Sequence, residues 1–362
     1  MAIDREALTL VTGTVKDIYR YYLLSESKQP DSAVMTYLKK RGLTAETIKR
    51  FGIGYAPNGW QNLGKPLKSS VFLKNYQQYR DLANGNIGAL LGGDLEATGL
   101  MIATDKGRRY DRFRERLMFP IRNVNGDTLS FGGRLLGDGK PKYLNGPETA
   151  LYRKNEVLYG MHELTVALDA EGAEKAPYII VTEGYMDVIS VHSAGNPYIV
   201  ANCGTAISAK QLDLLFSYSD ELIFAYDGDK AGSKATLDAL QRALPKLTGS
   251  RRISALSMPE GHDPDSFVHS LPHGQRKQGL EAVIDQRENG LNVYLDMITE
   301  QLASELGHDD PAEAFVVALS DAIAMLPDGT EYQRLINQIN AYSQPMASEL
   351  SEDEIVSMAA NS

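Results

Sequence analysis

The sequence predicts an α/β protein built around a parallel sheet, with a mixed α+β basic subdomain before the sheet and an acidic helical subdomain after it. Short apolar runs at Tyr178–Thr182 and Glu221–Tyr226 alternate with helical patterns, as buried parallel strands do. Basic residues concentrate between Lys106 and Lys154. Beyond Gln275, apolar residues recur at helical spacing among many acids.

The central region carries a βαβαβαβ pattern. A helix from Tyr185 to Ala194 would stop at Gly195, and Ser208 is a suitable N-cap for a second helix. The remaining predicted elements are the strand Tyr198–Ala201, the second helix through Phe216, the helix Ala231–Leu244 before Pro245, and the strand Arg252–Met258.

Three pairs of acids follow three of these strands. Ligands of open parallel sheets gather beyond the carboxyl ends of the strands, where six carboxylates would repel one another unless a cation neutralised them. All-oxygen ligands without nearby His or Cys suit Mg²⁺ or Mn²⁺. The alternative is that the acids only cap helices and solvate strand ends. The six predicted metal-associated residues are Glu183, Asp187, Asp227, Asp229, Asp263 and Asp265.

The basic segment from Lys106 to Lys154 has 12 Lys and Arg against 5 Asp and Glu, in a chain of net charge −10. Its apolar pieces Leu117–Ile121 and Thr128–Phe131 flank a turn at Asn125-Gly126, which predicts a hairpin or a small sheet that displays the arginines. Binding to nucleic-acid phosphates requires such local positive charge. A solvated basic face without a partner is the alternative.

The two ends of the chain are predicted to be largely helical. Near the N-terminus, helices Ser32–Arg41 and Ala45–Phe51 precede a loop at Gly52–Pro57, and Lys39 to Arg41 either touch nucleic acid or form a solvated helix end. The C-terminal helices are Leu291–Leu306, Pro311–Leu326 and Glu331–Tyr342. The predicted domains are 1–174, 175–274 and 275–362.

Several classes of protein are excluded. The sequence has no apolar run long enough to span a membrane and no N-terminal signal peptide, so a cytoplasmic location is expected. The single cysteine, Cys203, excludes an internal disulfide and a Cys-based zinc site, and we expect it to be a small buried residue. Gly132–Gly137 lacks the Gly-Lys-Ser/Thr ending of a phosphate-binding loop.

The acidic motifs resemble a known fold. Glu183-Gly-Tyr-Met-Asp187 with Asp227-Gly-Asp229 is similar to the Toprim fold of bacterial primases, type IA and type II topoisomerases and some nucleases. The resemblance to bacterial DnaG-type primases is much closer, because it extends over further motifs, strongly from about Arg112 to Phe267. These are Arg114–Arg122, Phe131–Arg134, Pro141–Asn145, Lys154 and Asp263-Pro-Asp265.

The resemblance implies a DNA-dependent RNA polymerase core that makes short RNA primers on single-stranded DNA with two or more Mg²⁺ or Mn²⁺ ions. Glu183, Asp227 and Asp229 would be the catalytic metal-associated residues, with Glu183 alternatively a proton acceptor. Asp187, Asp263 and Asp265 would be second-rank ligands or substrate-site acids. The residues that would hold template, primer or nucleotide phosphates are Arg116, Arg122, Arg134, Lys142, Tyr143, Asn145 and Lys154.

The resemblance also implies partners: a single-stranded DNA template, ribonucleoside triphosphates, the RNA primer, and a replicative helicase at the bacterial replication fork. Full bacterial primases carry a zinc-binding domain and a helicase-binding C-terminal domain. Neither is visible in this sequence, so we expect a catalytic core alone or a reduced relative, without zinc or a membrane partner. The alternatives are a Toprim-type nuclease or topoisomerase-like enzyme, and a non-catalytic DNA-binding relative.

Overall fold

The computed structural model describes residues 5–64, 93–202, 204, 206–259, 261–306 and 311–343. The chain divides into two compact units, Met1–Ala167 and Leu168–Ser362. The three domains expected from the sequence stay a prediction. Cys203 lies outside the described residues, so its expected burial stays a prediction too.

The first unit combines helices with short and long strands. In chain order, the elements with described bounds are α1 (Arg5–Glu26), α2 (Ala33–Lys40), α3 (Ala45–Phe51), β1 (Gly54–Ala56), β2 (Met101–Ala103), β3 (Arg109–Asp111), β4 (Arg116–Arg122), β5 (Thr128–Leu135), β6 (Tyr143–Asn145) and α4 (Met161–Glu171), whose last turn enters the second unit. Residues 93–97 are also helical.

The basic segment forms an antiparallel sheet with the strand order β1-β4-β5-β6, and β2 pairs separately with β3. The predicted hairpin is present as β4 and β5, and Gly126 in its turn has a φ of 90°, which glycine adopts without strain. The prediction of a loop over Gly52–Pro57 is partly wrong, because Gly54–Ala56 forms a strand that pairs with β4. Its partner is about 60 residues away in the sequence, so local turn residues did not predict this strand.

Helix α1 was not predicted, and it packs on the sheet through β1 and β5. Its side chains Val15, Ile18 and Tyr19 are completely or almost completely buried beside Met118 and Phe131 of the sheet. Tyr19 meets Phe131 edge to face, with ring centroids 5.4 Å apart. The apolar stripe of α1 therefore supports the sheet from which the arginines project.

The second unit contains the predicted parallel sheet, which confirms the α/β class. Its strand order is β11-β10-β9-β7-β8, and every pair is parallel except the edge pair of β10 with β11. The strands are β7 (Ile179–Thr182), β8 (Ile199–Ala201), β9 (Glu221–Phe224), β10 (Arg252–Ala255) and β11 (Glu288–Asn289). All residues of β7, β8 and β9 are buried.

Helices alternate with these strands and then continue to the C-terminal end of the described chain. They are α5 (Tyr185–Ser193), α6 (Ala209–Tyr218), α7 (Lys230–Ala243), α8 (Pro264–Ser270), α9 (Arg276–Ile284), α10 (Gly290–Leu306), α11 (Pro311–Met325) and α12 (Thr330–Ser343). The last three match the predicted helices within a few residues. In the part of the chain that the structure describes, no helix has the length and apolarity needed to cross a membrane.

Candidate active site

The six predicted acids lie at one edge of the parallel sheet. Val181, Phe224 and Ala255 are register partners across the neighbouring strands β7, β9 and β10, so the carboxyl ends of these strands are side by side. Glu183 follows β7 directly, and Asp227 follows β9 after two residues. Strand geometry therefore brings residues from distant sequence positions into one acidic cluster.

Glu183 and Asp227 are the half-buried members of this cluster that face other acids. Burial raises the pKa of Glu183, and repulsion by Asp227 and Asp229 raises it further. Burial also raises the pKa of Asp227, with Asp263 and Asp229 adding to the effect. Among the described residues, neither Glu183 nor Asp227 has a Lys, Arg or His within ion-pair distance.

Asp187 lies in the first turn of α5 and is buried. Burial, followed by repulsion from Asp263 and Asp265, raises its pKa to about 8. Its carboxylate nevertheless accepts hydrogen bonds from the backbone N–H of Gly184 at 3.0 Å and of Asp265 at 3.1 Å. A Cβ on Gly184 would lie 2.6 Å from Oδ2 of Asp187, so this hydrogen bond requires glycine.

Two of the acids cap helices, as the alternative interpretation of the sequence expected. Oδ1 of Asp229 accepts from the N–H of Gly232 at 2.8 Å at the start of α7, and Oδ1 of Asp263 accepts from the N–H of Ser266 at 2.6 Å at the start of α8. Capping fixes where these carboxylates lie. It does not remove them from the cluster, because both raise the pKa values of neighbouring acids.

Asp265 and Asp187 are the least exposed acids of the cluster, and the exposed fraction of Asp265 is 4%. Its carboxylate accepts a short hydrogen bond from the Ser190 hydroxyl, and Nδ1 of His269 lies 3.2 Å from Oδ1. The Ser190 contact joins α8 to α5, whereas the His269 contact lies within α8. Asp265 therefore contributes to packing at the base of the cluster as well as to its charge.

Gly232 is a residue of this site that sequence reasoning missed. A Cβ at this position would lie 1.9 Å from the carbonyl oxygen of Asp227, so only glycine allows the first turn of α7 to pack against the strand exit. In the sequence, Gly232 stands in the first turn of a helix that follows a strand ending in acidic residues. This position indicates a required glycine only when its contact with the Asp227 carbonyl oxygen is known.

The acids fit a cation by their chemistry, although they do not form a closed metal cage. All the donors are carboxylate oxygens, as Mg²⁺ and Mn²⁺ prefer, and burial together with repulsion between the acids raises the pKa values of Glu183, Asp187 and Asp227. Within the described ranges, no three His, Cys, Asp or Glu side chains are close enough to hold a metal ion by themselves. Mg²⁺ usually completes its coordination with water and substrate phosphates.

In the first unit, four of the predicted phosphate-binding residues lie on two adjacent strands or at their ends. Arg134 of β5 is the register partner of Tyr143 on β6, and Gly132 is the partner of Asn145. Lys142 immediately precedes β6 and is exposed. Lys154 lies farther along the chain, on the segment between β6 and α4.

Arg116 and Arg122, which were also predicted to bind phosphates, are engaged within the protein. The Arg116 guanidinium donates to the carbonyl oxygens of Gly133 and Pro141, both at 3.0 Å. Arg122 forms a buried ion pair with Glu163 and also donates to the Arg50 carbonyl at 2.8 Å. Burial lowers the pKa of both arginines. Their predicted role stays untested, and the contacts they make are structural.

Two family models match the chain. The model described as the DNA primase catalytic core, N-terminal domain, matches residues 19–165, and the Toprim-like model matches residues 180–268. The two matches fall on the basic and the acidic regions respectively. Toprim domains and primase catalytic cores typically depend on divalent metal ions.

Known proteins agree with these matches. A DNA primase of Neisseria meningitidis is 43% identical over 248 residues, which are 68% of this chain and 38% of that relative, so the chain spans less than half of that curated relative. A DNA primase domain from Pseudomonas aeruginosa is 32% identical, covers 98% of this chain and 99% of its own, and superposes with a TM-score of 0.78. A DnaG primase catalytic domain bound to single-stranded DNA is 32% identical, covers 93% and 96%, and has a TM-score of 0.76. The chain therefore belongs to the DnaG family of bacterial DNA primases and has the fold of their catalytic core with its Toprim domain.

Proposed function

We propose that this chain is the catalytic core of a DNA primase, which joins ribonucleotides into short RNA primers on a single-stranded DNA template. The observation that carries the proposal is the acidic cluster at the carboxyl edge of the parallel sheet. Burial, followed by the mutual repulsion of the carboxylates, raises the pKa values of Glu183, Asp187 and Asp227. Such mutual repulsion destabilises the isolated protein, and a bound divalent cation relieves it.

The reaction needs a site of this kind. Phosphoryl transfer requires little covalent chemistry from the protein and depends on positioning and on neutralising negative charge. Two or more Mg²⁺ or Mn²⁺ ions would lower the pKa of the attacking 3′-hydroxyl and neutralise charge on the incoming triphosphate. Glu183, Asp227 and Asp229 would hold these ions.

The other acids have supporting roles in this proposal. Asp187, Asp263 and Asp265 are buried or cap helices. They would therefore orient Glu183, Asp227 and Asp229 and add negative charge to the cluster. Alternatively, Glu183 would accept the 3′-hydroxyl proton instead of binding a metal ion. Its raised pKa makes it a stronger base than an ordinary glutamate.

The first unit would bind the phosphates of the template, the primer or the nucleotide. Arg134, Lys142, Tyr143, Asn145 and Lys154 are the residues we retain for this role. Arg116 and Arg122 are left out because their guanidinium groups are engaged by carbonyl oxygens and by Glu163. The relative that was solved with single-stranded DNA supports that ligand for this chain.

A Toprim-type nuclease or topoisomerase-like enzyme would use a similar set of acids, but it is not favoured. The match to the primase N-terminal model covers residues 19–165, outside the Toprim region, and the similar catalytic-core structures cover more than nine-tenths of the chain. A replicative helicase remains a proposed partner.

One assay tests the proposal. Single-stranded DNA, labelled ribonucleotides and either Mg²⁺ or Mn²⁺ are incubated with the chain, and the products are separated by size. We expect new, short, alkali-labile RNA that requires the template and the metal ion. Shortened DNA would instead support a nuclease, and DNA binding without any product would support a non-catalytic relative.

A further inference from the structure

The first three helices of the chain enclose an apolar groove, which we call the α1–α3 groove. Its cavity has a volume of about 350 Å³. Most of the residues that line it are leucine, isoleucine, methionine or alanine of α1, α2, α3 and the segments beside them. Leu23, Leu38 and Ile53 are buried lining residues, whereas Leu24 is 66% exposed. Within the described residues, this apolar surface is open to solvent.

The polar residues of the groove are almost all basic. They are Arg20, Lys39, Lys49 and Ser27, and no described acid lines the groove. No described carboxylate lies within ion-pair distance of the three cations, and Lys39 donates only a long hydrogen bond to the Pro30 carbonyl, at 3.3 Å. The chain as a whole has a net charge of −10, so this is a local reversal of its charge. Such a rim attracts a ligand that carries negative charge.

The volume of the cavity limits what can enter it. Ligand pockets have volumes from about 300 Å³ upwards, and an apolar cavity of about 150 Å³ holds one benzene-sized group. The α1–α3 groove, at about 350 Å³, therefore has room for about two large aliphatic side chains. An amphipathic helix inserts side chains of one face into a groove of this kind.

The lining does not suit a nucleic-acid strand. Surfaces that bind single strands combine cations with aromatic rings on which the bases stack. None of the described lining residues is aromatic, and none belongs to the strands β4, β5 and β6 that carry the predicted phosphate-binding residues. Cations around aliphatic side chains are complementary to a peptide in which carboxylates flank aliphatic side chains.

We propose that the α1–α3 groove is a docking site for an acidic amphipathic segment of a partner protein. Aliphatic side chains of the segment would cover Leu24 and Met35, and its carboxylates would pair with Arg20 and Lys49. All of the lining residues belong to the first unit. The inference goes beyond the proposed function, because docking requires neither nucleotides nor metal ions.

The probe is a synthetic, fluorescein-labelled helical peptide of about 14 residues, with leucines on one face and glutamates on the other. Its anisotropy is measured with the whole chain at low salt, without nucleotides or divalent ions. We expect saturable binding that salt weakens. Peptides with Lys in place of every Glu, or Ser in place of every Leu, should bind about tenfold more weakly or worse. Absence of binding by the acidic peptide up to about 1 mM, or equal binding by the Lys peptide, would overturn the inference.

Two glutamate substitutions on α1 locate the bound peptide. Leu24→Glu adds a negative charge and removes apolar surface at the groove, so peptide affinity should fall by about tenfold or more. Tyr21→Glu makes the same change of charge at an exposed residue of α1 outside the lining, and its affinity should stay within about twofold of wild type. The unfolding midpoint of each variant checks that the fold is retained.

A second pair of variants tests the charge of the rim. Lys49→Gln should weaken peptide binding by about two- to fivefold at low salt and by less at high salt. The control is Arg50→Gln, at the next residue of α3, which lies outside the lining and pairs with Glu46; it should bind as wild type does. This pair carries the test if Leu24→Glu does not fold. Wild-type affinity in both Leu24→Glu and Lys49→Gln would show that the peptide binds elsewhere and would overturn the inference.

An unlabelled strand distinguishes a peptide site from a nucleic-acid site. The affinity of Leu24→Glu for an oligothymidylate should equal that of the Tyr21→Glu control, because the groove would not hold the strand. A loss of oligothymidylate affinity in Leu24→Glu as large as its loss of peptide affinity would assign the groove to strand binding and would overturn the peptide as its ligand.

Discussion

The two units treat their concentrated charges in different ways. In the second unit, Glu183 and Asp227 face other carboxylates, and no described basic residue lies within ion-pair distance of either. In the first unit, the arginines separate into two kinds. Arg116 and Arg122 are engaged by carbonyl oxygens and by Glu163. Arg134 instead lies over the Tyr37 ring, hydrogen-bonds with the Tyr143 side chain and makes a long hydrogen bond to the Leu135 carbonyl oxygen.

This difference indicates what each charge is for. A buried charge with a partner inside the protein has its cost of desolvation offset, so it contributes to the fold. A partly buried charge that faces like charges remains costly until a ligand arrives. Whether a charged side chain has a partner within the protein therefore distinguishes site residues from structural residues better than its charge or its sequence motif does.

The strongest test of the comparison is Asp227→Asn. We expect nucleotide incorporation to fall by on the order of 10³-fold, because a ligand charge for the metal ions is lost. Thermal stability should be unchanged or higher, since the substitution removes repulsion of Glu183 and the other acids. Asp227 is a better choice than Asp229, whose replacement by Ala would also remove the cap of α7. The measurements are template-dependent incorporation and the unfolding midpoint.

Asp213→Asn is the matched control for that variant, because this acid is exposed on α6 and pairs with Lys246. It should retain full incorporation. Near-normal primer synthesis by Asp227→Asn would remove this residue from the metal site. A large loss of stability would show instead that Asp227 belongs to the scaffold.

The arginines provide the reverse test. Arg122→Ala should destabilise the protein by about 3–5 kcal/mol, because it leaves Glu163 buried without its partner. Arg50→Ala breaks an exposed ion pair with Glu46 and should cost only about 0.3–0.5 kcal/mol. Chemical denaturation measures both values. Equal and small effects would mean that burial of the Arg122 pair does not stabilise the fold.

Much of the second unit could be predicted from the sequence, and the reason is local. The apolar runs of β7 and β9 are bounded by turn residues, and Ser208 caps α6 through the N–H of Gln211 at 3.1 Å, as predicted. Parallel strands must end at a common edge, so the positions of the six acids in the chain were enough to assign them to one cluster. Their assignment as metal ligands stays a prediction.

What the sequence could not supply depends on contacts between distant residues. The strand Gly54–Ala56 exists because β4 pairs with it, and the requirement for glycine at 232 comes from the carbonyl of Asp227. The different environments of the arginines also depend on contacts between distant residues. Arg122 and Arg134 look alike in the basic segment, and only the fold places Glu163 beside one and Tyr37 beside the other.

A smaller effect is expected from pH. The pKa of Asp187 is raised from an ordinary value of 3.8 to about 8 in the folded protein, so the native state binds this proton more tightly than the unfolded state does. In a metal-free, chelating buffer, the stability that Asp187 contributes should therefore be fully present below about pH 4 and be lost as the pH rises to about 8.

Denaturation at a series of pH values checks this, with acid unfolding of the other carboxylates measured in the same series. Asp187→Asn cannot ionise, so its stability should change less than that of wild type between about pH 5.5 and 8.5. Added Mg²⁺ should raise the stability of wild type most at the higher pH, where the cluster is ionised. A pH profile that Asp187→Asn leaves unaltered would mean that other groups carry the dependence.

The smallest expected effect is on the salt dependence of DNA binding. Lys142 is exposed beside β6, and Lys175 is an exposed lysine of the second unit that pairs with Asp220 at 2.6 Å. If lysines near β6 bind phosphates, Lys142→Ala should make the slope of log affinity against log salt shallower by about 0.7, because one fewer counterion is released from the single strand. Lys175→Ala should leave the slope unchanged, since its charge already has a partner. Anisotropy titrations of a labelled oligothymidylate at several salt concentrations measure both slopes.

The same change of slope in both lysine variants would mean that the net charge of the protein governs binding. In that case, the distinction between charges that have a partner in the protein and charges available to a ligand would not apply to the lysines.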